Sequence, residues 1–271
     1  MTPAVLNFLR GRRHPALIGV VHLGALPGAP RYGGDLPLVL ERAVADALAI
    51  AEGGGDAIIV ENFGDIPFRR DRVDPETVAA MALATARVQR AVGELAVGVN
   101  VLRNDARAAL GLCAATGAEF LRVNVHCGAA VADQGLLEGR ADETLRERAR
   151  LGLACAILAD VHVKHAEPLA GGTIADAARD ALRRGLADGL VVSGAGTGEA
   201  ADPAALEAVR QACPEAPLLL GSGLSLENAG DYRRLIDAAI VGTSIKLGGR
   251  VDRPVDPERV AALCSALAGR P

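Results

Sequence analysis

The chain has 271 residues, half of them hydrophobic, which suits one large α/β domain better than two ordinary ones. Aromatic residues make up 2% of it and Trp is absent, which excludes the stacked-ring platforms that grip single-stranded nucleic acid and carbohydrate subsites of the same kind. Lys and Arg number 29 against 33 Asp and Glu, a net charge of −4, so no nucleic-acid partner held through its phosphate backbone is expected.

No apolar run reaches the roughly 20 residues of a membrane helix. In the N-terminal stretch MTPAVLNFLRGRRHP the Arg cluster follows the apolar part, the reverse of a secretory signal. Cys113, Cys127, Cys155, Cys213 and Cys264 form an odd, scattered set without CxxC spacing. They read as small buried thiols of a reducing compartment. A cytoplasmic protein without membrane insertion is expected.

In chain order, short β-rich runs occupy residues 17–22, 56–61, 95–100, 120–124, 157–163, 189–193, 217–221 and 238–242. Each is almost continuously apolar, the pattern of a parallel strand covered on both faces. Helical runs follow them at residues 36–52, 75–92, 104–116, 143–155, 173–187, 203–212, 226–236 and 256–268. Asp74-Pro75, Asp202-Pro203 and Asp256-Pro257 each place a capping acid before a first-turn proline. Gly117 ends its helix as a C′ glycine. Eight strands, each followed by a helix, predict a single (β/α)8 TIM barrel of parallel strands over residues 1–271, with residues 1–13 as an N-terminal extension. A doubly wound open sheet would need a glycine loop that opens a helix after the first strand. The segment GALPGAPRYGGD at 24–35 is proline-rich and does not open one.

Such barrels carry their chemistry at the C-terminal strand ends. The first five ends hold His22, Glu61, Asn100, Arg122, Asn124, His126, Asp160, His162 and Lys164. Arg122, Asn124 and His126 are spaced i, i+2, i+4, and so are Asp160, His162 and Lys164. Each triplet is therefore expected on the axis-facing side of its strand. His22, Glu61, Asp160 and His162 offer acid/base groups, and Asn100, Asn124 and Arg122 offer donors for a developing oxyanion. Lys164 is either an electrostatic partner of nearby carboxylates or, desolvated beside Arg122, a Schiff-base nucleophile. Any one of these residues alone reads as a satisfied structural group; the nine together point to a catalytic or ligand site. No cofactor is expected. His22, Glu61, Asp160 and His162 are suitable donors for a divalent metal, but no strand carries an HxH pair.

The later strand ends are small. Ser193 and Gly194 follow the sixth strand, Gly221, Ser222, Gly223 and Leu224 the seventh, and Gly242, Thr243, Ser244 and Lys246 the eighth. Loops after strands seven and eight of this fold commonly bind phosphate through backbone N–H groups, and glycine permits the close approach. Tight βα turns use the same residue types. The segment 126–142 is too long for a mere connection and is expected to form a lid, with Asp133 and Gln134 as its polar centre. Packing against a neighbouring subunit is the other reading of it, and a homo-oligomer is expected. The partner implied is a small phosphorylated molecule.

Seven motifs coincide largely with these strand ends: GVVHLGALPGAP (19–30), DAIIVENFGDIPF (56–68), GVNVLRND (98–105), RVNVHCGAAVADQGLLEG (122–139), ADVHVKHAEPL (159–169), GSGLSLEN (221–228) and IVGTSIK (240–246). On these the chain resembles the BtpA family over residues 14–249. The resemblance implies a phosphate-binding barrel. It also implies a link, in some members, to photosystem I biogenesis, and in others to sugar uptake and metabolism. It brings no settled reaction. Together, these readings lead to an expected enzyme of isomerase, epimerase, aldolase or hydrolase type acting on a small, sugar-phosphate-like compound. The alternative is a non-catalytic ligand-sensing or assembly factor.

Overall fold

The computed structural model describes residues 4–9, 12–163, 165–194, 196 and 199–269. Eight parallel strands, each hydrogen-bonded to its neighbours in the chain, close into a barrel when the first meets the last. They are β1 (Ala16–His22), β2 (Ala57–Glu61), β3 (Ala96–Asn100), β4 (Phe120–Val123), β5 (Ala156–Asp160), β6 (Gly189–Val192), β7 (Leu218–Leu220) and β8 (Ala238–Val241). The helices that follow them are α1 (Leu36–Glu52), α2 (Pro75–Val92), α3 (Ala106–Thr116), α4 (Ala141–Arg150), α5 (Ile174–Arg179), α6 (Pro203–Ala212), α7 (Ala229–Tyr232) and α8 (Pro257–Leu267). The chain is a TIM barrel, as the strand–helix alternation predicts.

The period-two alternation of each strand sorts its side chains into two cores. Leu17, Ile58, Val97, Leu121 and Ile157 face outward and pack under the helices. Ile18, Ile59, Phe120, Leu158, Val191, Leu219 and Ile240 fill the interior. Gly98 lies level with Phe120, and a Cβ at 98 would stand 2.3 Å from that ring, so the large residue of one strand occupies the space the glycine leaves on the next. The residues expected as an N-terminal extension have a packing role: the turn Ala4–Leu9 sends Leu6 into the interior core and sets Phe8 against Phe120, ring centroids 6.0 Å apart.

Several boundaries differ from the sequence reading. Asp202 and Asp256 cap α6 and α8 through the amides of Ala204 and Glu258. Asp74 instead accepts from Arg69 and makes no cap hydrogen bond. The helix expected over 173–187 is the short α5 followed by a wider π turn, Asp180–Arg184, and that expected over 226–236 shrinks to four residues. The segment after β4 is not irregular. It folds as a hairpin, Ala129–Ala132 with Gly135–Glu138, and Ala166–Pro168 pairs with it to complete a three-stranded antiparallel sheet beside the barrel mouth. Among the described residues no helix is long and apolar enough to cross a membrane.

Candidate active site at the barrel mouth

The last inward residues of the first five strands form one ring. His22, Glu61 and Asn100 are direct register partners at the ends of β1, β2 and β3. Asn100 Nδ2 donates to Glu61 Oε1 at 3.0 Å. His22 Nε2 lies 4.0 Å from Glu61 Oε2, and Arg122 Nη1 3.9 Å from Glu61 Oε1. Arg122 closes the ring across β4 and β5. Its Nε and Nη2 donate to the two Asp160 carboxylate oxygens at 2.8 and 3.1 Å, the fork geometry that suits a guanidinium. Nη2 also reaches Ser193 Oγ at 3.3 Å, and Nη1 reaches the Gly221 carbonyl at 3.4 Å. Burial alone would lower the Arg122 pKa, but Asp160 and Glu61 outweigh it and the pKa is raised. The centre therefore holds a permanent cation between two carboxylates.

Asn124 and Asp160 face the axis as expected, but their chemistry differs from the expectation. Asn124 Nδ2 donates to Asp160 Oδ2 at 2.7 Å. One Asn124 N–H is thus committed to Asp160, and Oδ1 is left as an acceptor.

Three of the expected site residues stand outside the ring. His126 does not continue the Arg122–Asn124 face, because β4 ends at Val123 and Asn104 takes both the N–H and the carbonyl of Val125. Its ring is buried away from the mouth, with Nε2 2.8 Å from the Gly185 carbonyl of the π turn. His162 does not share the Asp160 face either: β5 stops at Asp160, and His162 has φ 55° and is exposed. Lys246 is buried in an ion pair with Asp46 of α1 at 2.8 Å, and Asp46 also accepts from Val255 N–H. Lys246 ties α1 to the chain before α8 and does not face the cavity. The donor set His22, Glu61, Asp160 and His162 is accordingly not assembled, and among the described residues no three His, Cys, Asp or Glu side chains form a metal site. Lys164 lies outside the described residues. Asp133 and Gln134 form the tip of the hairpin, Asp133 exposed and Gln134 half-buried, with Gln134 Nε2 donating to Asp133 Oδ2 at 2.6 Å.

His126 makes a pH prediction. Burial is the main reason its pKa lies below the ordinary 6.5. Between that lowered value and 6.5 the unfolded chain binds more protons than the folded one, so the His126 contribution is present above pH 6.5 and is lost as pH falls through the lowered pKa. Denaturant unfolding between about pH 5 and 8 should show stability falling toward acid, with a smaller slope in His126→Gln.

The loops after β7 and β8 meet the ring on its other side. Ser222, Gly223, Leu224, Thr243 and Ser244 line one cavity with His22, Glu61 and Arg122. Asn228 holds the β7 loop from behind, donating to the Gly223 carbonyl and accepting from Ser225 N–H, both at 2.8 Å. Gly223 has φ +81°, a conformation natural to glycine. Ser244 does not offer a free hydroxyl proton: it donates to the Leu224 carbonyl and joins the two loops. Ser222 is more than nine-tenths buried, and its Oγ has no protein partner among the described residues. Gly221 and Gly242 serve the ring as much as the loops. A Cβ at 221 would stand 2.4 Å from Ser193 Oγ, and one at 242 would stand 2.6 Å from the His22 ring. Gly194 is packed against the backbone of Glu199.

Two residues of the mouth escaped the sequence reading. Phe63 packs on His22 with ring centroids 4.3 Å apart and the rings tilted by 37°. Arg103 is buried after β3, where burial lowers its pKa, Asp160 raises it, Arg122 lowers it, and Asp133 and Glu61 raise it. Asn62 positions this segment by accepting from Leu102 N–H at 2.7 Å and donating to its carbonyl at 3.2 Å. Position within the motifs was the available signal: Phe63 follows Glu61-Asn62, and Arg103 lies three residues after Asn100.

The sequence model of the BtpA family matches residues 13–269. The chain belongs to the BtpA family. It is 47% identical over 255 residues to the photosystem I biogenesis protein BtpA of Synechocystis, covering 94% of this chain and 88% of that one. An uncharacterized protein of Thermococcus kodakarensis is 45% identical over 247 residues, covering 91% and 93%. One of Caenorhabditis elegans is 31% identical over 266 residues, covering 95% and 94%. Among solved structures, one described as native KDPGal has TM-score 0.59 at 16% identity, covering 93% of this chain and 94% of that one. Phosphoribosyl anthranilate isomerase from Thermus thermophilus has TM-score 0.56 at 16% identity, covering 94% and 98%. At such identities the likeness establishes the barrel fold of this BtpA-family chain and no activity.

Proposed function

We propose that this BtpA-family protein is an enzyme acting on a small phosphorylated compound of sugar-phosphate type. The observation that carries the reading is the cavity under the β7 and β8 loops. It brings the Ser222 hydroxyl and the backbone of Gly223 and Thr243 together with Arg122, Glu61 and His22. Its volume is about 30 Å³, room for a compact group and not for a whole metabolite. A phosphate seated there by backbone N–H groups and Ser222 fixes the remainder of the molecule beside the ring. Glu61 and His22 then act as the acid/base pair. Glu61 is oriented by Asn100, and His22 by Phe63 and Gly242. Arg122 stabilises negative charge that develops on the substrate. Asp160 holds Arg122, Asn124 braces Asp160, and neither exchanges protons with substrate. Isomerisation, epimerisation and aldol cleavage all use this set. Relatives of comparable length in a cyanobacterium, an archaeon and a nematode fit a reaction on a widespread metabolite better than a role confined to a photosystem.

Calorimetric titration of inorganic phosphate and of sugar phosphates tests the reading. Gly242→Val, which crowds His22 and the β8 loop, and Ser222→Val should each weaken binding at least tenfold, about 1.4 kcal/mol. Unchanged affinity in both variants contradicts it. Tight binding without turnover of any phosphorylated compound would point to a ligand sensor instead.

A further inference from the structure

A second cleft, of about 180 Å³, opens on the other side of the Arg122–Asp160 ion pair, between the three-stranded sheet and α5. Asn124 and Asp160 stand at its inner end. Asn124 is 2% exposed, and its Oδ1 has no hydrogen-bond partner among the described residues. The orientation of this amide is fixed by chemistry. Asp160 is bound in both oxygens by Arg122, so it can only accept, and the Asn124 NH2 must point to it. Oδ1 is therefore a buried acceptor at the inner end of the cleft, and its complement is a donor on the ligand.

The rest of the cleft narrows the class. Ala130, Val161, Val163 and Ala177 make its walls apolar. Three carboxylates line it, Asp160, Asp176 and Asp180, together with the imidazole of His162 and the Thr173 side chain. Asp176 is committed to Thr173 and Arg179, and Asp180 lies 3.8 Å from Arg184. Three carboxylates and an amide acceptor thus stand against the single imidazole of His162, a poor seat for a second phosphate. A carbon chain fits the walls, and a hydroxyl on it fits Oδ1.

We infer that Asn124 and this cleft form the subsite for the hydroxylated end of the substrate, so that the compound is a phosphate ester of a neutral polyol or sugar rather than a bisphosphate or an alkyl phosphate. The inference rests on the phosphate reading above. The phosphate lies on the β7–β8 side of the Arg122–Asp160 pair and the hydroxylated chain on the α5 side. Asn124 is the residue that reads the hydroxyl.

Calorimetry with three probes tests it: inorganic phosphate, n-pentyl phosphate and ribitol 5-phosphate, each against the wild type, Asn124→Leu and Ala177→Phe. In the wild type ribitol 5-phosphate should bind about tenfold more tightly than pentyl phosphate. That ratio should fall toward one in both variants, and Ala177→Phe should keep the wild-type affinity for inorganic phosphate. The ratio is the deciding readout, because general loosening of the site weakens both esters alike. If Asn124→Leu does not fold, Ala177→Phe decides alone. Phosphate esters that bind without discrimination in the wild type, or a ratio that survives either folded variant, overturn the subsite and leave the phosphate reading standing. Failure of inorganic phosphate and both esters to bind overturns both.

Discussion

Replacing Arg122 by methionine should destabilise the protein by about 3–5 kcal/mol, the range for breaking a buried ion pair from one side. Asp160 and Glu61 both face Arg122, and all three are more than nine-tenths buried. Methionine matches the volume but leaves the Asp160 carboxylate with Asn124 as its one described side-chain donor. A second substitution, Asp160→Asn, removes the charge that has lost its ion-pair partner, so Arg122→Met/Asp160→Asn should recover part of the loss. Urea unfolding of the single and double variants measures both values. A cost below about 1 kcal/mol would mean that water reaches the pair and that the ring is not the dry centre described here.

Glu61→Gln is expected to have the largest effect on turnover with a small effect on the fold. Glutamine keeps the size and one acceptor toward Asn100, which donates at 3.0 Å. What it removes is the proton-accepting carboxylate near His22 and Arg122. Loss of general acid/base catalysis costs roughly 10²–10⁴ in rate, so kcat for the compound found by the binding screen should fall by that factor while KM changes little. The measurement is steady-state kinetics on the purified variant, with a thermal melt as control for folding. A variant that retains more than about a tenth of kcat removes Glu61 from the proton transfer.

The barrel was legible because a closed parallel sheet buries both faces of its strands, and eight apolar runs separated by helical ones have few other solutions. The ring was legible for the same reason: once β1 to β4 are in phase, His22, Glu61, Asn100 and Arg122 must point inward. Phase also explains the failures. It holds only while the strand lasts. β4 ends at Val123 and β5 at Asp160, so His126 and His162, counted as further inward positions, left the axis when the backbone turned. Composition could not separate Lys246 from a phosphate ligand, because its partner Asp46 is 200 residues away in sequence. The three-stranded sheet was missed since its strands have four residues or fewer and are half exposed, too short for alternation to register. Asn124 was correctly placed at the mouth, but its role depends on which side of its amide faces Asp160, a matter of geometry alone.

The most direct measurement is a crystal structure of the wild-type protein grown with inorganic phosphate and then with ribitol 5-phosphate. The account predicts the phosphate within hydrogen-bond distance of Ser222 Oγ and the backbone N–H groups of the β7 and β8 loops, with the polyol passing Arg122 toward Asn124 Oδ1. Phosphate bound only among the surface arginines of α4, with the cavity beneath Gly221 and Gly242 unaltered, would contradict it.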